Sequence, residues 1–319
     1  MKILIVASDK CGHFTPFIEE QAAALQAQGC EVLRFGITGH GAMGYLRSLP
    51  ALKKCIREQQ PDLIHAHYGL SCLLASMQRL VPVVSTYHGS DIHDPHILPL
   101  SRLAMRRSAW NIFVSKTAFA IAQNVHILPS PVCLEKCSIL PCGVNLSAVQ
   151  KVGKVAARKH LHLPLAASLV LFAGAFDNAV KDAPLAKKAL AELHEVQLIE
   201  LKGYSRSEVF LLMQAADVLL LTSRSEGSPQ VVKEAMACGC PIVSTDVGDV
   251  RELTAGIAGC YVASSREPLE LAALLREALF FAKNGRTDGR QRLIEKGYTN
   301  DRIARQLMHI YTSARSSRS

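Results

Sequence analysis

Short apolar segments alternate with helix-length segments along the chain, and this alternation constrains the fold more than any other feature. Each apolar run is short enough for a strand, and the segment after it is long enough for a helix. Apolar strands with helices between them indicate a parallel sheet that is covered on both faces. The first series of runs comprises KILIVAS (2–8), EVLRFGI (31–37), DLIHAH (62–67), VPVVSTY (81–87) and WNIFVS (110–115).

A second series of strands follows a break in this pattern. Residues 147–164 are polar and basic and contain no strand-like run, so we interpret them as a linker. With 319 residues, the chain is long enough for two domains. We therefore predict an α/β fold of two doubly wound Rossmann-like domains that face a cleft. The second series comprises LVLFAGAF (169–176), QLIEL (197–201), VLLLTS (218–223), PIVSTDV (241–247) and CYVA (260–263).

The break sets the predicted domain boundaries. The first domain is predicted to span 1–150 and the second 151–298. A final helical segment, 299–319, has no strand after it, and packing across the domain boundary is one option for it. In open α/β sheets, ligands bind outside the carboxyl ends of the strands, so functional residues are expected in the loops that follow strands.

Composition and charge narrow the function classes. The chain is 49% hydrophobic, yet no apolar stretch approaches the ~20 residues of a membrane span, which favours a cytoplasmic protein. The formal net charge of +9 favours anionic partners, including peripheral contact with an anionic inner membrane face. Nucleic acid is excluded as a partner, because the basic residues are dispersed and no aromatic-rich module accompanies them. The ten cysteines are interpreted as reduced thiols, since their spacing indicates no disulfide framework.

Two clusters of metal-ligand residue types receive a non-metal interpretation. The loop STYHGSDIHDPH (85–96) is better suited to hydrogen-bonding a sugar, because no ligand-rich helix completes a metal site. A second cluster, of one histidine and three cysteines between positions 126 and 142, lacks the spacing of a zinc knuckle. The residues concerned are His88, Asp91, His93 and His96 in the first cluster, and His126, Cys133, Cys137 and Cys142 in the second.

Two glycine-containing loops follow the first two predicted strands. GHGAMG (39–44) fits G-x-G-x-x-G, but it follows the second strand and lacks the expected acidic partner, so we interpret it as an ordinary loop. The first strand leads into a loop with Gly12, and Pro16 fits the start of a helix over 14–28. Phosphate or sugar contact at this helix start and an ordinary loop are equal alternatives. His65 and His67 share one face at the end of their strand, and they either point at the predicted cleft or pack beneath it.

The loop after the first strand of the second series contains a lysine next to a helix start. In GAFDNAVKDAPLAKKAL (174–190), Lys181 precedes a helix predicted to open near Asp182, with Pro184 in its first turn. A lysine beside the free N–H groups of a helix start suits a phosphate. A solvated surface lysine is the alternative.

The stretch SEGSPQVVKEAMACGCP (225–241) carries the strongest functional signal. Ser228 is predicted to cap a helix that begins with Pro229 and stops at Gly239. Glu226 lies in the loop before the helix, and Glu234 lies in the helix. A diphosphate bound at the helix start would place Glu234 near a ribose diol and Glu226 near the group attached to the far phosphate.

This stretch resembles the retaining glycosyltransferases of family 4, which have the GT-B architecture of two facing Rossmann-like domains. The likeness rests on EGSPQVVKEAMACGCPIVSTDVG (226–248), which fits the family's E-x7-E pattern, and on HGSD (88–91), ILPCGVN (139–145) and Lys181. The resemblance implies sugar transfer with retention, from a nucleotide-diphosphate sugar to a glycan or lipid-linked acceptor. It implies no metal and no other cofactor.

The resemblance also implies roles for individual residues. Glu234 would bind the ribose of the donor, Glu226 would hold the transferred sugar, and Lys181 would neutralise the leaving diphosphate. His88 would contact the sugar from the first domain. The remaining donor-binding positions that it implies are Gly12, Gly227, Ser228, Gln230 and Val231.

The chain departs from the family pattern at Ala175, where the family usually has an arginine. Leaving-group charge would then be neutralised by Lys181, by the helix start or by another basic residue such as Arg224. Because of this departure, a nucleotide-sugar-binding subunit with little or no turnover is the main alternative function. A sugar-nucleotide epimerase and a nicotinamide-dependent oxidoreductase are weaker alternatives.

Overall fold

The computed structural model describes residues 1–9, 12–39, 41–124 and 135–316, without the side chains of residues 42 and 124. The chain divides into two compact units. The first comprises Met1–Gly143 together with Asn300–Ser319, and the second comprises Val144–Thr299.

The first unit contains a six-stranded parallel sheet with the strand order β2-β1-β3-β4-β5-β6. Its strands are β1 Lys2–Ser8, β2 Glu31–Ile37, β3 Leu63–His67, β4 Val83–Tyr87, β5 Trp110–Phe113 and β6 Cys137–Ile139. Its helices are α1 Pro16–Ala27, α2 Gly41–Arg47, α3 Leu49–Gln59, α4 Gly69–Ser76, α5 Ser90–His93, α6 Leu98–Arg107 and α7 Lys116–Asn124.

Both faces of this sheet are buried, as the apolar runs predict. In β1, Leu4 and Val6 belong to one apolar cluster, whereas Ile3 and Ile5 belong to another. Successive side chains of a strand point to opposite faces, so an unbroken apolar run supplies both clusters.

The second unit contains a five-stranded parallel sheet with the order β11-β10-β9-β7-β8. Its strands are β7 Ser168–Phe172, β8 Val196–Glu200, β9 Val218–Leu221, β10 Ile242–Ser244 and β11 Cys260–Val262. Its helices are α8 Lys154–His160, α9 Ala183–Leu190, α10 Arg206–Ala215, α11 Gln230–Ala237, α12 Val250–Thr254, α13 Pro268–Asn284 and α14 Gly289–Lys296, and a 3-10 turn spans Ala179–Lys181.

The segment interpreted as a linker is folded into the second unit, so that interpretation is wrong for most of its length. It contains α8, which packs against α10. The buried Arg158 of α8 donates to the Asp217 carboxylate at 2.8 Å and to the carbonyl oxygens of Ala215, Pro164, Leu165 and Ala167. A buried guanidinium needs such a set of acceptors, and these acceptors tie the segment to the sheet.

The chain passes from the first unit to the second between Gly143 and Val144, rather than after residue 150. It returns to the first unit with the last helix, α15 Asn300–Ser316. This helix packs on α1, and its buried Ile303, Leu307 and Tyr311 join the apolar cluster of Ile3 and Ile5. The predicted strand series otherwise agrees with the sheets, except that β6 was not predicted.

None of the helices that the structure describes is both long and apolar enough to cross a membrane.

Candidate active site

The loop between β9 and α11 holds Glu226 against Lys181. Lys181 Nζ lies 2.6 Å from Glu226 Oε1, and the hydroxyl of Ser223 donates to the same oxygen at 2.7 Å. Lys181 follows β7 and Glu226 follows β9, and these strands are neighbours in the sheet. The order of the strands therefore brings the two charges together. Both side chains are about one-fifth exposed, so each remains accessible to a ligand.

Two glycines make this geometry possible by allowing close approach. The stem of Lys181 lies across Gly174, where an added Cβ would meet Lys181 Cγ at 2.9 Å. Gly248 has a φ of +59°, and an added Cβ would lie 2.6 Å from the carbonyl oxygen of Gly227. The loop after β10 therefore packs its backbone directly against the loop that carries Glu226.

The start of α11 differs from the prediction. The helix begins at Gln230, Pro229 is its N-cap residue, and no side chain caps it. The predicted capping role of Ser228 is therefore wrong. Its hydroxyl lies 2.7 Å from Asp249 Oδ2, because the close packing at Gly248 places Asp249 beside the loop. Burial raises the pKa of the Asp249 carboxyl, and the charge of Lys233 opposes that shift.

Glu234 is buried in α11 and pairs with an arginine of α10. Arg206 Nη1 lies 2.6 Å from Glu234 Oε1, and the side chain of Glu234 is 8% exposed. The Arg206 guanidinium also lies over the ring of Phe210, 4.5 Å from its centroid. The carboxylate is thus held in one direction by a planar cation that is itself stacked.

Two further arginines converge on Asp182, the N-cap residue of α9. Arg224 Nη2 and Arg266 Nη2 lie 2.9 and 2.8 Å from Asp182 Oδ2. Arg266 also donates to the carbonyl oxygens of Ser223 and Thr222. Arg266 therefore links the loop that contains Glu226 to the helix start beside Lys181.

In the first unit, the loop after β4 is organised by the buried carboxylate of Asp91. Its Oδ1 accepts the backbone N–H groups of His88 and Gly89, both at 2.9 Å, and its Oδ2 accepts that of Gly69 at 3.1 Å. Burial raises the pKa of Asp91 to about 6, although these backbone hydrogen bonds act in the opposite direction. Asp91 thus fixes the backbone that carries His88.

The ring of His88 lies in a cluster of aromatic and histidine rings. Tyr68 and Phe17 lie 4.4 and 5.1 Å from it, measured between ring centroids. His67 Nδ1 lies 3.1 Å from His88 Nε2. Tyr68 has a φ of +70°, a strained conformation for a bulky residue. The backbone between β3 and α4 is thus strained at Tyr68, whose ring lies against that of His88.

The other predicted site residues are placed as follows. Gly12 has a φ of +82°, with nothing within 4 Å of an added Cβ. Gln230 and Val231 form the half-buried first turn of α11. Gly227, by contrast, is buried.

The described residues include no group of three or more His, Cys, Asp or Glu side chains that could hold a metal ion. Two residues of the cluster weighed as a zinc site, His126 and Cys133, lie outside the described residues. The cysteines that the structure describes are free thiols.

A cavity of about 650 Å³ in the second unit lies at the other end of α11. Arg286 and Arg290 line it, but they donate to carbonyl oxygens at the last turns of α10 and α11, including those of Met213 and Ala237. These cations stabilise helix C-termini. The described residues that line the cavity include no lysine–glutamate pair like that of Lys181 and Glu226.

Sequence reasoning missed Arg206 and Arg266. Both follow the carboxyl ends of strands, β8 and β11, so the rule that ligands bind there would have indicated their loops. The identity of the carboxylate that each arginine meets depends on packing between distant segments. No local sequence pattern therefore predicts which carboxylate each arginine contacts.

Two family models match the chain. Residues 149–279 match the model of glycosyl transferases group 1, and residues 15–125 match that of glycosyl transferase 4-like proteins. The chain is 29% identical over 224 residues to TuaC of Bacillus subtilis strain 168, a teichuronic acid biosynthesis glycosyltransferase. That alignment covers 62% of this chain and 56% of the relative.

Solved structures with the same fold include two that cover nearly the whole chain. Sucrose-phosphate synthase from Thermosynechococcus elongatus superposes with a TM-score of 0.85 at 18% identity, over 99% of both chains. Anabaena HepE, solved in complex with UDP-glucose, gives a TM-score of 0.75 at 17% identity, over 98% of this chain and 100% of that one. The two parallel-sheet α/β domains predicted from the strand series are confirmed, and they match the GT-B fold that the family resemblance implies.

Proposed function

Because this chain belongs to the glycosyltransferases of the GT-B fold, with a group 1 and a 4-like domain, we propose that it transfers a sugar from a nucleotide-diphosphate sugar. The acceptor in this proposal is a glycan or glycolipid of a cell-surface polysaccharide. The polysaccharide class is supported by the likeness to a teichuronic acid biosynthesis enzyme. The donor class is supported by the UDP-glucose complex of HepE.

The observation that carries the proposal is the contact between Lys181 and Glu226 next to the start of α11. A diphosphate bound there would meet the ammonium group of Lys181 and the backbone N–H groups of the first helical turn. Glu226 lies at the same place, so its carboxylate is available to hydroxyl groups of the attached sugar. Glu234 is one turn further along the helix and would accept hydrogen bonds from the ribose.

The proposed reaction is front-face transfer with retention. The bond between the anomeric carbon and the phosphate oxygen breaks, and a bond to the acceptor oxygen forms on the same face. The acceptor proton passes to the leaving phosphate. Lys181 stabilises the negative charge that develops on that phosphate, a role that Arg266 supports by holding Asp182 and the loop of Ser223 in place.

Thermal unfolding with added nucleotides provides the first test. UDP, GDP and ADP would each be titrated, with NAD⁺ as a control for dinucleotide binding. A ligand at about 100 times its Kd adds roughly 2.7 kcal/mol to the free energy of unfolding. Selective stabilisation by one nucleoside diphosphate is expected, and stabilisation by NAD⁺ alone would contradict the proposal.

Two variants then separate binding from chemistry. We expect Glu234→Ala to weaken nucleotide binding, and Glu226→Ala to lower kcat with nucleotide binding retained. The assays are calorimetric titration and transfer from the matching nucleotide sugar. Wild-type transfer by both variants would refute the assignment of this helix and its loop.

The alternative is a nucleotide-sugar-binding subunit with little turnover. It is favoured by Ala175, which supplies no charge for a leaving group. Tight nucleotide binding by wild-type protein, without transfer or hydrolysis of any nucleotide sugar, would support this alternative.

A further inference from the structure

Three histidines of the first unit form a continuous row of rings that ends at His88. The rings of His65 and His67 are tilted with their centroids 4.3 Å apart, and those of His67 and His88 are stacked with their centroids 5.3 Å apart. His65 and His67 occupy alternate positions of β3 and therefore share a face. Both are buried. This row is anchored in the core of the unit and reaches the proposed sugar-contacting histidine.

The proton of His65 is located by its neighbours. Its Nδ1 lies 2.7 Å from the hydroxyl of Tyr311 and 3.3 Å from the side-chain nitrogen of Gln21, which can only donate. His65 Nδ1 is therefore an acceptor. The ring proton is on Nε2, which donates to Thr86 Oγ1 at 2.7 Å. Burial lowers the pKa of His65 well below its usual value, so the ring is neutral.

The proton of His67 is located by a different argument. Burial lowers the pKa of His67 to about 3, so its ring is also neutral and carries one N–H. Its Nε2 is buried and has no hydrogen-bond partner among the described residues. A proton on Nε2 would thus be a buried donor without an acceptor, whereas a proton on Nδ1 is donated to His88 Nε2 at 3.1 Å.

We infer that His67 is a positioning residue that fixes His88 in the tautomer with its proton on Nδ1. If His67 donates to His88 Nε2, that nitrogen must accept, and the N–H of a neutral His88 is at Nδ1. Nδ1 lies 3.8 Å from the sulfur of Cys142, a weak acceptor that a sugar hydroxyl can displace. The rings of Tyr68 and Phe17 hold the imidazole plane. The tautomer itself is argued from the geometry alone. Only the use of this N–H, as a donor to the transferred sugar, rests on the proposed function.

The tautomer can be measured without any substrate. Long-range ¹H–¹⁵N correlation spectra of protein labelled at histidine distinguish Nδ1–H from Nε2–H, and the His88→Gln variant assigns the His88 signals. We expect the Nδ1–H form of His88 in the wild type. In His67→Phe, which has no ring N–H, the proton of His88 should move to Nε2 in most molecules. His309→Asn, a change of an exposed histidine in α15 of the same unit, is the matched control.

Two outcomes would overturn the inference. One is a wild-type His88 that carries its proton on Nε2. The other is a His88 tautomer that stays unchanged in folded His67→Phe protein. If His67→Phe does not fold, the wild-type spectrum still shows which nitrogen of His88 carries the proton. His67→Asn supplies a second variant, whose side-chain amide N–H can replace the Nδ1–H of His67.

Transfer kinetics test the purpose of the tautomer separately. We expect His67→Phe to lower kcat about tenfold, the equivalent of one hydrogen bond, with an unchanged KM for the acceptor, and His67→Asn to recover most of the loss. If the role of His67 were purely structural, both variants would have a lower melting temperature, and His67→Asn would not recover kcat. If His88→Ala transfers sugar at the wild-type rate, the proposed role of His88 is refuted, while the spectra decide the tautomer independently.

Discussion

At the scale of single residues, the charges around α11 are arranged in opposite pairs. Lys181 pairs with Glu226, Arg206 with Glu234, and Arg266 with Asp182. A cation held by a carboxylate stays in place, because a buried or half-buried charge is costly without its partner. In the proposed donor site, a diphosphate at Lys181 would therefore compete with Glu226, and its binding would release that carboxylate towards the sugar.

Lys181 offers the most direct test of this competition. Lys181→Met should weaken nucleoside diphosphate binding by about tenfold to a hundredfold, because one charge-assisted contact is lost. Isothermal titration measures the change. Lys188→Met, an exposed lysine of α9, is the matched control and should bind as the wild type does. Equal affinities for all three proteins would exclude Lys181 from the phosphate site.

Gly248 tests the close packing of two backbones. Gly248→Ala places a Cβ 2.6 Å from the carbonyl oxygen of Gly227 and should displace the Glu226 loop. Gly256 has a similar φ of +73° but open space around it, so Gly256→Ala measures the backbone strain alone, about 1 kcal/mol. We expect Gly248→Ala to be more destabilised in urea and to bind nucleotide more weakly. Identical behaviour of the two variants would show that the contact is unimportant.

At the scale of elements, the loops that carry His88 and Glu226 are each held by a carboxylate. Asp91 holds the loop after β4 through three backbone N–H groups. Asp249 holds the start of α11 through Ser228. Loops at the ends of strands lack a hydrogen-bonding ladder of their own, so a buried carboxylate supplies the acceptors that order them.

The carboxyl of Asp91 predicts a pH dependence of stability. Burial raises its pKa from 3.8 to about 6, so the folded state binds this proton more tightly than the unfolded state. The contribution of Asp91 to stability therefore falls as the pH rises from about 4 to about 6, by about 3 kcal/mol. Urea unfolding of the wild type and of Asp91→Asn across this range measures it. The stability difference, wild type minus variant, should decrease with pH, and a constant or rising difference would contradict the shift.

At the scale of the whole molecule, the chain leaves the first unit at Gly143 and returns to it with α15. This helix contributes Ile303, Leu307 and Tyr311 to a cluster that covers one face of the first sheet. Tyr311 also bonds to His65, so the last helix supports the histidine row. The C-terminal segment is thus part of the core of the first unit.

Truncation tests this dependence. A chain that ends at Thr299 should lose the cooperative unfolding of the first unit or fail to stay soluble, because an apolar face of its sheet becomes exposed. A chain that ends at Ser316 keeps all of α15 and should unfold as the full chain does. Differential scanning calorimetry compares them. Unchanged unfolding after removal of the whole helix would contradict its role in the core.

The two strand series, the end of α11 just before Gly239 and the spacing of Glu226 and Glu234 were predictable from the sequence, because each depends on neighbours along the chain. Hydrophobic period, glycine positions and loop lengths all report local geometry. The start of α11 was missed by one residue. The preference of Ser228 for a cap was overridden by Asp249, which reaches it from another loop.

The partners of the charged residues depended on the order of the strands. The sheet order β11-β10-β9-β7-β8 places β7 beside β9, and so brings Lys181 to Glu226. Arg206 and Glu234 meet because α10 packs against α11. Strand order and helix packing are set by the burial of the whole core, in which many distant contacts compete. For that reason, local sequence shows which residues carry charge, whereas the folded chain selects the groups that they meet.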